Sequence, residues 1–235
     1  MAEDKGKTVG IIGGMGPQAT LDLMQRIIKL TPALDDKDHI HYIVDNNPKI
    51  PSRIKAIIDG DGEDPGPILA DMARNLAAHG ADVLAIACNT AHYYYDTVQA
   101  AVDIPVIHMI DAVLDDIRKN RPDCKRVGIL ASPAIKITGI YEERFAPAHI
   151  EIIFPDAGFQ QQLFDVIRGV KAGKQTDLLH PAYANVCRHL AQKGAAVAIV
   201  ACTELSALNS TSELDTIDAA QVLAQKIVTI ARENN

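Results

Sequence analysis

The sequence contains no tryptophan, and aromatic residues of all kinds are scarce. Phe, Tyr and Trp together make up 4% of the 235 residues, whereas hydrophobic residues as a whole make up 48% and charged residues 23%. This composition is near the average of globular proteins and excludes a disordered chain, because enough apolar surface is available to bury a core. We expect that core to consist of Ala, Ile, Leu and Val, whose small side chains suit close packing of helices on a sheet.

Long apolar segments are also absent. No run of about 18 apolar residues occurs, and the amino-terminal residues include no apolar segment of the length found in signal peptides. We therefore expect a soluble, cytoplasmic protein that has no membrane partner.

Clustered cysteines are missing as well. The four cysteines are dispersed, none forms a C-x-x-C pair, and a reducing cytosol disfavours disulfides. No nearby His or Cys completes a set of four metal ligands, so we expect no metal site. Cysteines in this chain therefore fill the core or take part in chemistry, and we interpret Cys124 and Cys187 as structural.

Basic residues are in the minority. The chain has 23 Lys and Arg against 30 Asp and Glu, which gives a formal net charge of −7. An acidic surface repels phosphate backbones, so nucleic acid is not an expected partner. A small anionic substrate is not excluded, because it responds to the charges of its own site.

Short apolar runs alternate with segments of helix length in which apolar residues recur every three or four positions. This alternation predicts an α/β fold, in which parallel sheets are flanked by helices. Several runs are apolar at every position, as expected of strands that are buried on both faces. The predicted strands are Thr8–Ile12, His41–Val44, Val83–Ala87, Pro105–Ile107, Val127–Leu130, Glu151–Phe154 and Val197–Ala201. The predicted helices include Gln18–Leu30, Pro67–His79 and Thr176–Gln192.

An internal repeat divides the chain into two related halves. The segment His79–Cys88 aligns with Lys193–Cys202, and Val9–Ile12 aligns with Val127–Leu130. The aligned segments occur in the same order in each half, so the two halves are expected to share one architecture.

A third repeated segment completes the prediction of the domains. Met109–Val113 resembles Thr216–Ala220. We predict two similar α/β domains, 1–108 and 109–217, related by a pseudo-two-fold axis with the active site between them. The last helix, about 218–235, is expected to pack on the first domain.

Each half ends a buried strand with a cysteine, Cys88 in the first half and Cys202 in the second. Ligands of open α/β sheets bind at the carboxyl ends of the strands, so a two-fold relation would direct both cysteines toward one cleft. A helix that starts after each strand would favour the thiolate and bind a substrate carboxylate. Either cysteine by itself could be a small buried hydrophobe, but its recurrence at the same place favours a chemical role.

Two facing thiols suit proton transfer on the two faces of one carbon atom. A nucleophilic cysteine would need a base, and His92 and His108 are candidates, but neither could serve both cysteines. One thiolate can instead remove a proton from one side while the opposite thiol returns a proton from the other. The pair therefore predicts racemase or epimerase chemistry without a cofactor.

A glycine-rich turn follows the first predicted strand. Its residues Gly14-x-Gly16-x-x-Ala19 fit the fingerprint of dinucleotide-binding folds. The acidic residue that should accompany the fingerprint would be Asp45, which lies rather far downstream. Nucleotide binding is therefore the weaker interpretation of this turn.

Two basic residues are candidate ligands for a carboxylate. Arg53 follows the second predicted strand, where its guanidinium could bind a carboxylate or could simply start a solvated helix. Lys171 occurs where a solvated helix end is the more common explanation. From the residues themselves, both interpretations stay open.

Five short motifs, taken together, resemble those of the microbial aspartate racemases. These enzymes belong to the aspartate/glutamate racemase superfamily, which works without pyridoxal phosphate. The resemblance extends from about residue 8 to the C-terminal helix, and its combination of motifs is specific although each motif is short. The motifs are Gly13–Pro17, Asn46–Arg53, Cys88–His92, Gly169–Gly173 and Cys202–Glu204.

The resemblance implies a role for each motif and a homodimeric protein. Cys88 and Cys202 would be the acid/base residues, each serving one enantiomer, and Arg53 and Lys171 would hold the side-chain carboxylate of the substrate. The other implied substrate-binding residues are Met15, Gln18 and Asn47 in the pocket wall, Asn89, Thr90 and Thr203 at the α-carboxylate, and Ala91 and Glu204. Glu204 could raise the pKa of the Cys202 thiol, orient the substrate amine, or make only a local hydrogen bond.

The leading hypothesis is a cofactor-independent racemase that interconverts L- and D-aspartate. Glutamate is one methylene longer, which changes binding by only about 1–3 kcal/mol, so the pocket could accept both. One alternative is another activity of the superfamily on a dicarboxylate, either an isomerase or a racemase of a different amino acid. A nucleotide-binding protein is the weaker alternative, because it leaves the paired cysteines unexplained.

Overall fold

The computed structural model describes residues 6–206, 208 and 212–233. The chain forms two compact units. One unit consists of Met1–Ala112 together with Gln221–Asn235, and the other consists of Val113–Ala220.

The first unit contains a parallel sheet of four strands in the order β2-β1-β3-β4. Its central strands, β1 and β3, are buried along their whole length, because helices and loops cover both faces. Short 3-10 or π-type helices occur at Asp36–Asp38, Lys55–Asp59 and Thr90–Tyr94. The elements are β1 (Val9–Gly13), α1 (Pro17–Leu30), β2 (Tyr42–Asn46), α2 (Gly66–Ala78), β3 (Val83–Ile86), α3 (Tyr95–Gln99), β4 (Val106–Ile107) and α4 (Met109–Asn120), which runs into the second unit.

The second unit repeats this arrangement with a parallel sheet in the order β6-β5-β7-β8. Short 3-10 helices occur at Ala146–Ala148 and Thr176–Leu178. The elements are β5 (Arg126–Leu130), α5 (Pro133–Thr138), α6 (Ile140–Phe145), β6 (Glu151–Ile153), α7 (Ala157–Lys171), α8 (His180–Gln192), β7 (Val197–Val200), α9 (Thr203–Ser206) and β8 (Thr216–Asp218), and they are followed by α10 (Ala219–Arg232), which belongs to the first unit from Gln221 onward. The predicted fold class, two α/β halves built on parallel sheets, is confirmed.

The strand register shows which residues of the two units are equivalent. Val9 pairs with Val83 in the first unit, and Val127 pairs with Val197 in the second. The register therefore makes β3 equivalent to β7. It follows that Cys88, two residues beyond β3, is equivalent to Cys202, two residues beyond β7.

The register corrects the third predicted repeat. Leu84 pairs with Val106, and the equivalent Ala198 pairs with Thr216, so Thr216 corresponds to Val106 and not to Met109. The error is a shift of three residues. The segment Met109–Val113 lies in helix α4, whereas Thr216–Ala220 covers strand β8 and the start of α10, so the shared Ile-Asp-Ala letters match residues in different elements.

The start of α8 differs from the prediction. The helix begins at His180 instead of Thr176 and is preceded by the short 3-10 helix Thr176–Leu178. Pro181 explains the difference, because proline is tolerated in the first turn of a helix but not in its interior.

The carboxyl-terminal helix α10 returns to the first unit. The amide of Lys7 donates to the carbonyl of Ala231 at 2.9 Å, and the guanidinium of Arg232 donates to the carbonyl of Pro32 at 3.0 Å. Near its amino end, the Gln221 side chain accepts a hydrogen bond from Arg26 at 3.0 Å. Within the described ranges, no helix is long and apolar enough to cross a membrane.

Candidate active site

The turn after β1 is closely packed against the loop that follows β2. Gly14 has a φ of 97°, and its amide donates to the hydroxyl of Thr20 at 3.0 Å. A Cβ atom at Gly14 would lie 2.2 Å from the carbonyl oxygen of Asn47. Packing against Asn47 is therefore enough to explain this glycine, without a role in nucleotide binding.

Cys88 lies just beyond the buried strand β3. The amide of the preceding residue, Ala87, donates to the carbonyl of Ile12 at 3.0 Å, which extends the sheet by one residue. The Cys88 side chain is buried in the apolar core of the first unit, in the cluster that also contains Met15, Ala91 and Tyr94. The β1–α1 turn and the segment after β3 thus meet at the carboxyl edge of this sheet.

His92 is a structural residue and not a base for Cys88. Its Nε2 accepts a hydrogen bond from the Met109 amide at 3.1 Å, so Nδ1 carries the hydrogen and donates it to the Cys88 carbonyl at 2.8 Å. Burial, together with the neighbouring His108 ring, lowers the pKa of His92 to about 4. The imidazole is therefore neutral at physiological pH, and both of its nitrogens are occupied by the backbone.

Arg53 is a partly buried cation with an unused donor. Its Nη1 donates to the carbonyl of Pro51 at 2.8 Å, whereas its buried Nε has no hydrogen-bond partner among the described residues. Burial raises the pKa of the Tyr94 hydroxyl, the carboxylate of Asp64 raises it further, and the Arg53 guanidinium opposes both. A half-buried guanidinium with a free N–H suits a carboxylate ligand, because unpaired buried donors are costly.

Cys202 lies just beyond β7, in a setting that repeats the backbone geometry of Cys88. The Ala201 amide donates to the carbonyl of Leu130 at 2.9 Å, which is the counterpart of the bond made by Ala87. The Cys202 thiol donates to the Oε2 atom of Glu204 at 2.9 Å. Burial raises the pKa of this thiol well above its ordinary value, and the Glu204 carboxylate raises it further.

Glu204 has partners at both of its carboxylate oxygens. Oε2 accepts hydrogen bonds from the Cys202 thiol and, at 3.4 Å, from the Thr203 hydroxyl, while Oε1 lies 3.1 Å from Nζ of Lys171. Burial would by itself raise the pKa of Glu204, but the Cys202 thiol and the Lys171 ammonium outweigh it, so that pKa is lowered. The carboxylate is therefore ionised and paired within the protein.

Lys171 is paired in a way that the sequence did not suggest. It is the last residue of α7 and is half-exposed, and its ammonium binds Glu204. Arg53, with which it was expected to hold a substrate carboxylate, belongs to the other compact unit. Lys171 can therefore bind a substrate carboxylate only if its ammonium leaves Glu204 or contacts both carboxylates at once.

Short helical segments begin soon after both cysteines. A 3-10 helix of five residues, Thr90–Tyr94, follows Cys88, and a helix of four residues, α9, follows Cys202. The 3-10 helix Thr90–Tyr94 continues directly into α3, whereas α9 is a single turn, and an effect of the helix dipole on either thiol stays a prediction. Within these turns the amides of His92, Leu205 and Ser206 donate to the carbonyls of Asn89 and Cys202.

The remaining predicted residues differ in exposure. Met15, Asn89 and Ala91 are buried, Asn47, Thr90 and Thr203 are partly buried, and Gln18 is exposed in the first turn of α1. Two buried polar residues were not predicted from the sequence, Tyr94 and Ser206. The hydroxyl oxygen of Ser206 is buried without a hydrogen-bond partner in the described part of the chain. The only available signal for Tyr94 was its place in a run of three tyrosines directly after His92.

Cys124 and Cys187 are both buried, and all four cysteines are free thiols. Among the residues that the structure describes, no group of three or more His, Cys, Asp or Glu is arranged to hold a metal ion.

The comparison with known proteins defines the class of this protein. Residues 12–227 match the profile of the family described as Asp/Glu/Hydantoin racemase, and the doubled α/β fold agrees with it. The protein is therefore an isomerase of the racemase class. The chain belongs to the Asp/Glu/hydantoin racemase family.

The chain is similar to racemases from several organisms. The chain is 29% identical over 226 residues to the broad specificity amino-acid racemase RacX of Bacillus subtilis, with 94% of this chain and 96% of RacX covered. It is also 29% identical to the Picrophilus torridus aspartate racemase, whose structure superposes with a TM-score of 0.83 over 98% of this chain and 96% of that chain. The glutamate racemase RacE1 of Bacillus anthracis, at 18% identity and a TM-score of 0.68, shares the fold over 99% of this chain and 86% of its own.

Proposed function

We propose that this protein interconverts L- and D-aspartate without a cofactor, with Cys88 and Cys202 acting on opposite faces of the substrate α-carbon. The observation that carries the proposal is the recurrence of a cysteine two residues beyond equivalent strands in both units. Recurrence at the carboxyl end of the same strand in each half, where ligands of α/β sheets bind, favours a chemical role over a merely structural one.

The reaction is a proton exchange at carbon. One cysteine, as the thiolate, removes the α-proton and becomes a thiol, while the other, as the thiol, donates its proton to the opposite face and becomes a thiolate. The number of protons on the pair is unchanged, and the configuration of the carbon is inverted. Met15, Asn47, Asn89, Thr90, Ala91, Thr203 and Gln18 are proposed to surround the substrate at the carboxyl edges of the sheets.

Removal of the α-proton places negative charge on the α-carboxylate, because no cofactor takes it up. Fixed hydrogen-bond donors must therefore stabilise that charge, and the backbone amides after each cysteine are proposed to do so. Arg53 is proposed to bind the side-chain carboxylate. The buried Nε of Arg53 that lacks a partner supports this assignment.

A broader amino-acid racemase is the second candidate function. The pairing of Lys171 with Glu204 favours it, since only Arg53 is then ready to select a second carboxylate. The relative RacX, at the same identity as the Picrophilus enzyme, is named as a broad specificity racemase. Lys171 would support dicarboxylate selection only if substrate displaces its pairing with Glu204.

The test is to incubate the purified protein with L-aspartate in heavy water without added cofactor. Optical rotation and the α-proton signal in NMR are followed together, with L-glutamate and L-alanine in parallel. We expect aspartate to lose its rotation and its α-proton at matching rates, and alanine to react far more slowly. Comparable rates for alanine would select the broad racemase, and unchanged aspartate would refute the aspartate assignment.

A homodimer is also proposed, because it is what the resemblance to the aspartate racemases implies. Sedimentation equilibrium should give twice the mass of 25.3 kDa. A single species at the mass of one chain would refute this part of the proposal.

A further inference from the structure

Cys202, Glu204 and Lys171 form a connected set of polar side chains within the second unit. The Cys202 thiol donates to Oε2 of Glu204 at 2.9 Å, and Oε1 of Glu204 lies 3.1 Å from Nζ of Lys171. The Glu204 side chain is only 17% exposed, so its interactions are weakly screened by solvent. The proton of the thiol and the charge of the carboxylate are therefore directly coupled.

The position of the first unit that is equivalent to Glu204 holds no carboxylate. Cys88 and Cys202 follow equivalent strands, and the residue two positions later is Thr90 in the first unit and Glu204 in the second. A threonine hydroxyl carries no charge and cannot oppose the ionisation of a neighbouring thiol. The two cysteines are thus equivalent in backbone position but not in the charge beside them.

We propose that Glu204 is a positioning residue that keeps Cys202 protonated in the free protein, so that Cys202 is the proton donor and Cys88 the acceptor in the turnover that starts from the resting state. The inference rests on the proposed two-cysteine reaction. After that turnover Cys88 carries the proton and Cys202 is a thiolate. The resting state returns when Cys88 releases one proton to water and Cys202 takes one from water.

The groups around Cys202 favour its protonated form. Burial and the Glu204 carboxylate raise the pKa of Cys202, and Lys171 opposes them. Lys171 also helps to keep Glu204 ionised, since its ammonium lowers the pKa of that carboxyl. Removal of Glu204 and removal of Lys171 should therefore shift the ionisation of Cys202 in opposite directions.

This asymmetry has a kinetic consequence. The equilibrium constant between two enantiomers is one, so kcat/KM must be the same for both at any pH. A preferred protonation state of the free protein can therefore change kcat and KM of each enantiomer, but not the ratio of kcat to KM. The enantiomer that presents its α-proton to Cys88 should have the lower KM and the lower kcat.

The decisive experiment measures the reactivity of Cys202 in the native, full-length protein without substrate. Iodoacetamide, which is uncharged, is applied from pH 6 to pH 10, and mass spectrometry follows the peptide that contains Cys202. We expect Glu204→Gln to increase the alkylation rate of Cys202 at pH 8 by about tenfold or more, because the thiolate fraction grows tenfold per unit of pKa. We expect Lys171→Met to slow the reaction by a few-fold.

The matched control is Glu151→Gln. It removes one carboxylate from the first residue of β6, at the opposite edge of the same sheet, where Glu151 pairs with Arg126 and is 61% exposed. This variant should leave the pH profile of Cys202 unchanged. The proposal would be overturned if Glu204→Gln left the pH dependence of Cys202 alkylation unchanged or moved it to higher pH.

Circular dichroism establishes whether each variant is folded. If Glu204→Gln does not fold, Lys171→Met decides by itself, and an unchanged Cys202 profile in that variant overturns the proposal. Because the measurement needs no substrate, it is independent of whether aspartate is racemised. A second readout is the KM of each enantiomer, and the two values should converge in Glu204→Gln.

Discussion

At the scale of single residues, the proposed reaction depends on two thiols that cannot replace each other. We expect Cys88→Ala and Cys202→Ala each to lower the rate of racemisation by about 10²–10⁴-fold, the usual contribution of one general acid or base. The measurement is the initial rate of change in optical rotation with each enantiomer. A binding protein that does not use the thiols would be unaffected by either substitution.

Cys124→Ala is the control for these variants. Cys124 is buried, and its thiol donates a long hydrogen bond of 3.7 Å to the carbonyl of Arg126, at the amino end of β5. This variant should keep its activity. A comparable loss of activity in Cys124→Ala would mean that the effect of the other two substitutions is structural.

His92 makes a pH-dependent contribution to stability. In the unfolded chain its pKa is near 6.5, whereas in the folded protein it is about 4, so only the unfolded state takes up a proton between these values. The stability contributed by neutral His92 is complete above pH 6.5 and is lost as the pH falls toward 4. The loss amounts to about 3 kcal/mol.

The variant His92→Gln tests this contribution, because an amide can still donate to the Cys88 carbonyl and accept from the Met109 amide. Urea unfolding should show the variant less stable than the native protein at pH 7. The difference between the two should shrink as the pH falls to 4.5. A difference that stays constant with pH would show that His92 is not held neutral.

At the scale of elements, two glycines have nearly the same positive φ but different surroundings. Gly80, which follows α2, has a φ of 96° and open space where a Cβ would be, whereas a Cβ at Gly14 would overlap the backbone of Asn47. Gly80→Ala should cost about 1–2 kcal/mol from its left-handed conformation. Gly14→Ala should cost more, because the Asn47 loop must also move.

The activities of these two variants should differ as well. Gly80 is at the amino end of β3, far along the strand from Cys88, so its variant should racemise normally while folded. Gly14→Ala shifts the loops that carry Met15 and Asn47 and should lose activity. Activity is measured by optical rotation at a temperature where both variants are folded. Equal activities of Gly80→Ala and Gly14→Ala would show that these loops are not part of the site.

The regular elements were largely predictable from the sequence. Strands buried on both faces, such as β3 and β7, have sequences that are short unbroken apolar runs. The ends of each predicted strand lie within two residues of the ends of the observed strand. The strand β8 was missed because Thr216–Asp218 contains a single apolar residue. It forms a strand because its neighbour β7 offers it hydrogen-bond partners, which no local pattern records.

At the scale of the whole molecule, the chain crosses from the first unit to the second and comes back with α10. Ile227 of this helix is fully buried, whereas the preceding residue, Lys226, is exposed. We expect Ile227→Ala to lower the free energy of unfolding by about 2–5 kcal/mol, and Lys226→Ala to change it by less than about 0.5 kcal/mol. Urea denaturation of both variants provides the comparison.

The sequence by itself determined the alternation of strands and helices, the doubled architecture and the two cysteines beyond equivalent strands. These features depend on the periodicity of neighbouring residues and on an internal repeat, both of which a single chain displays directly. Only the tertiary structure decided that Lys171 pairs with Glu204, that Glu204 holds the Cys202 thiol, and that His92 serves the backbone. The contact of Lys171 with Glu204 and that of His92 with the Met109 amide join residues that are distant in the chain. The contact of Glu204 with Cys202 joins near neighbours, but whether their side chains meet depends on the local backbone conformation and on burial, which the sequence does not record.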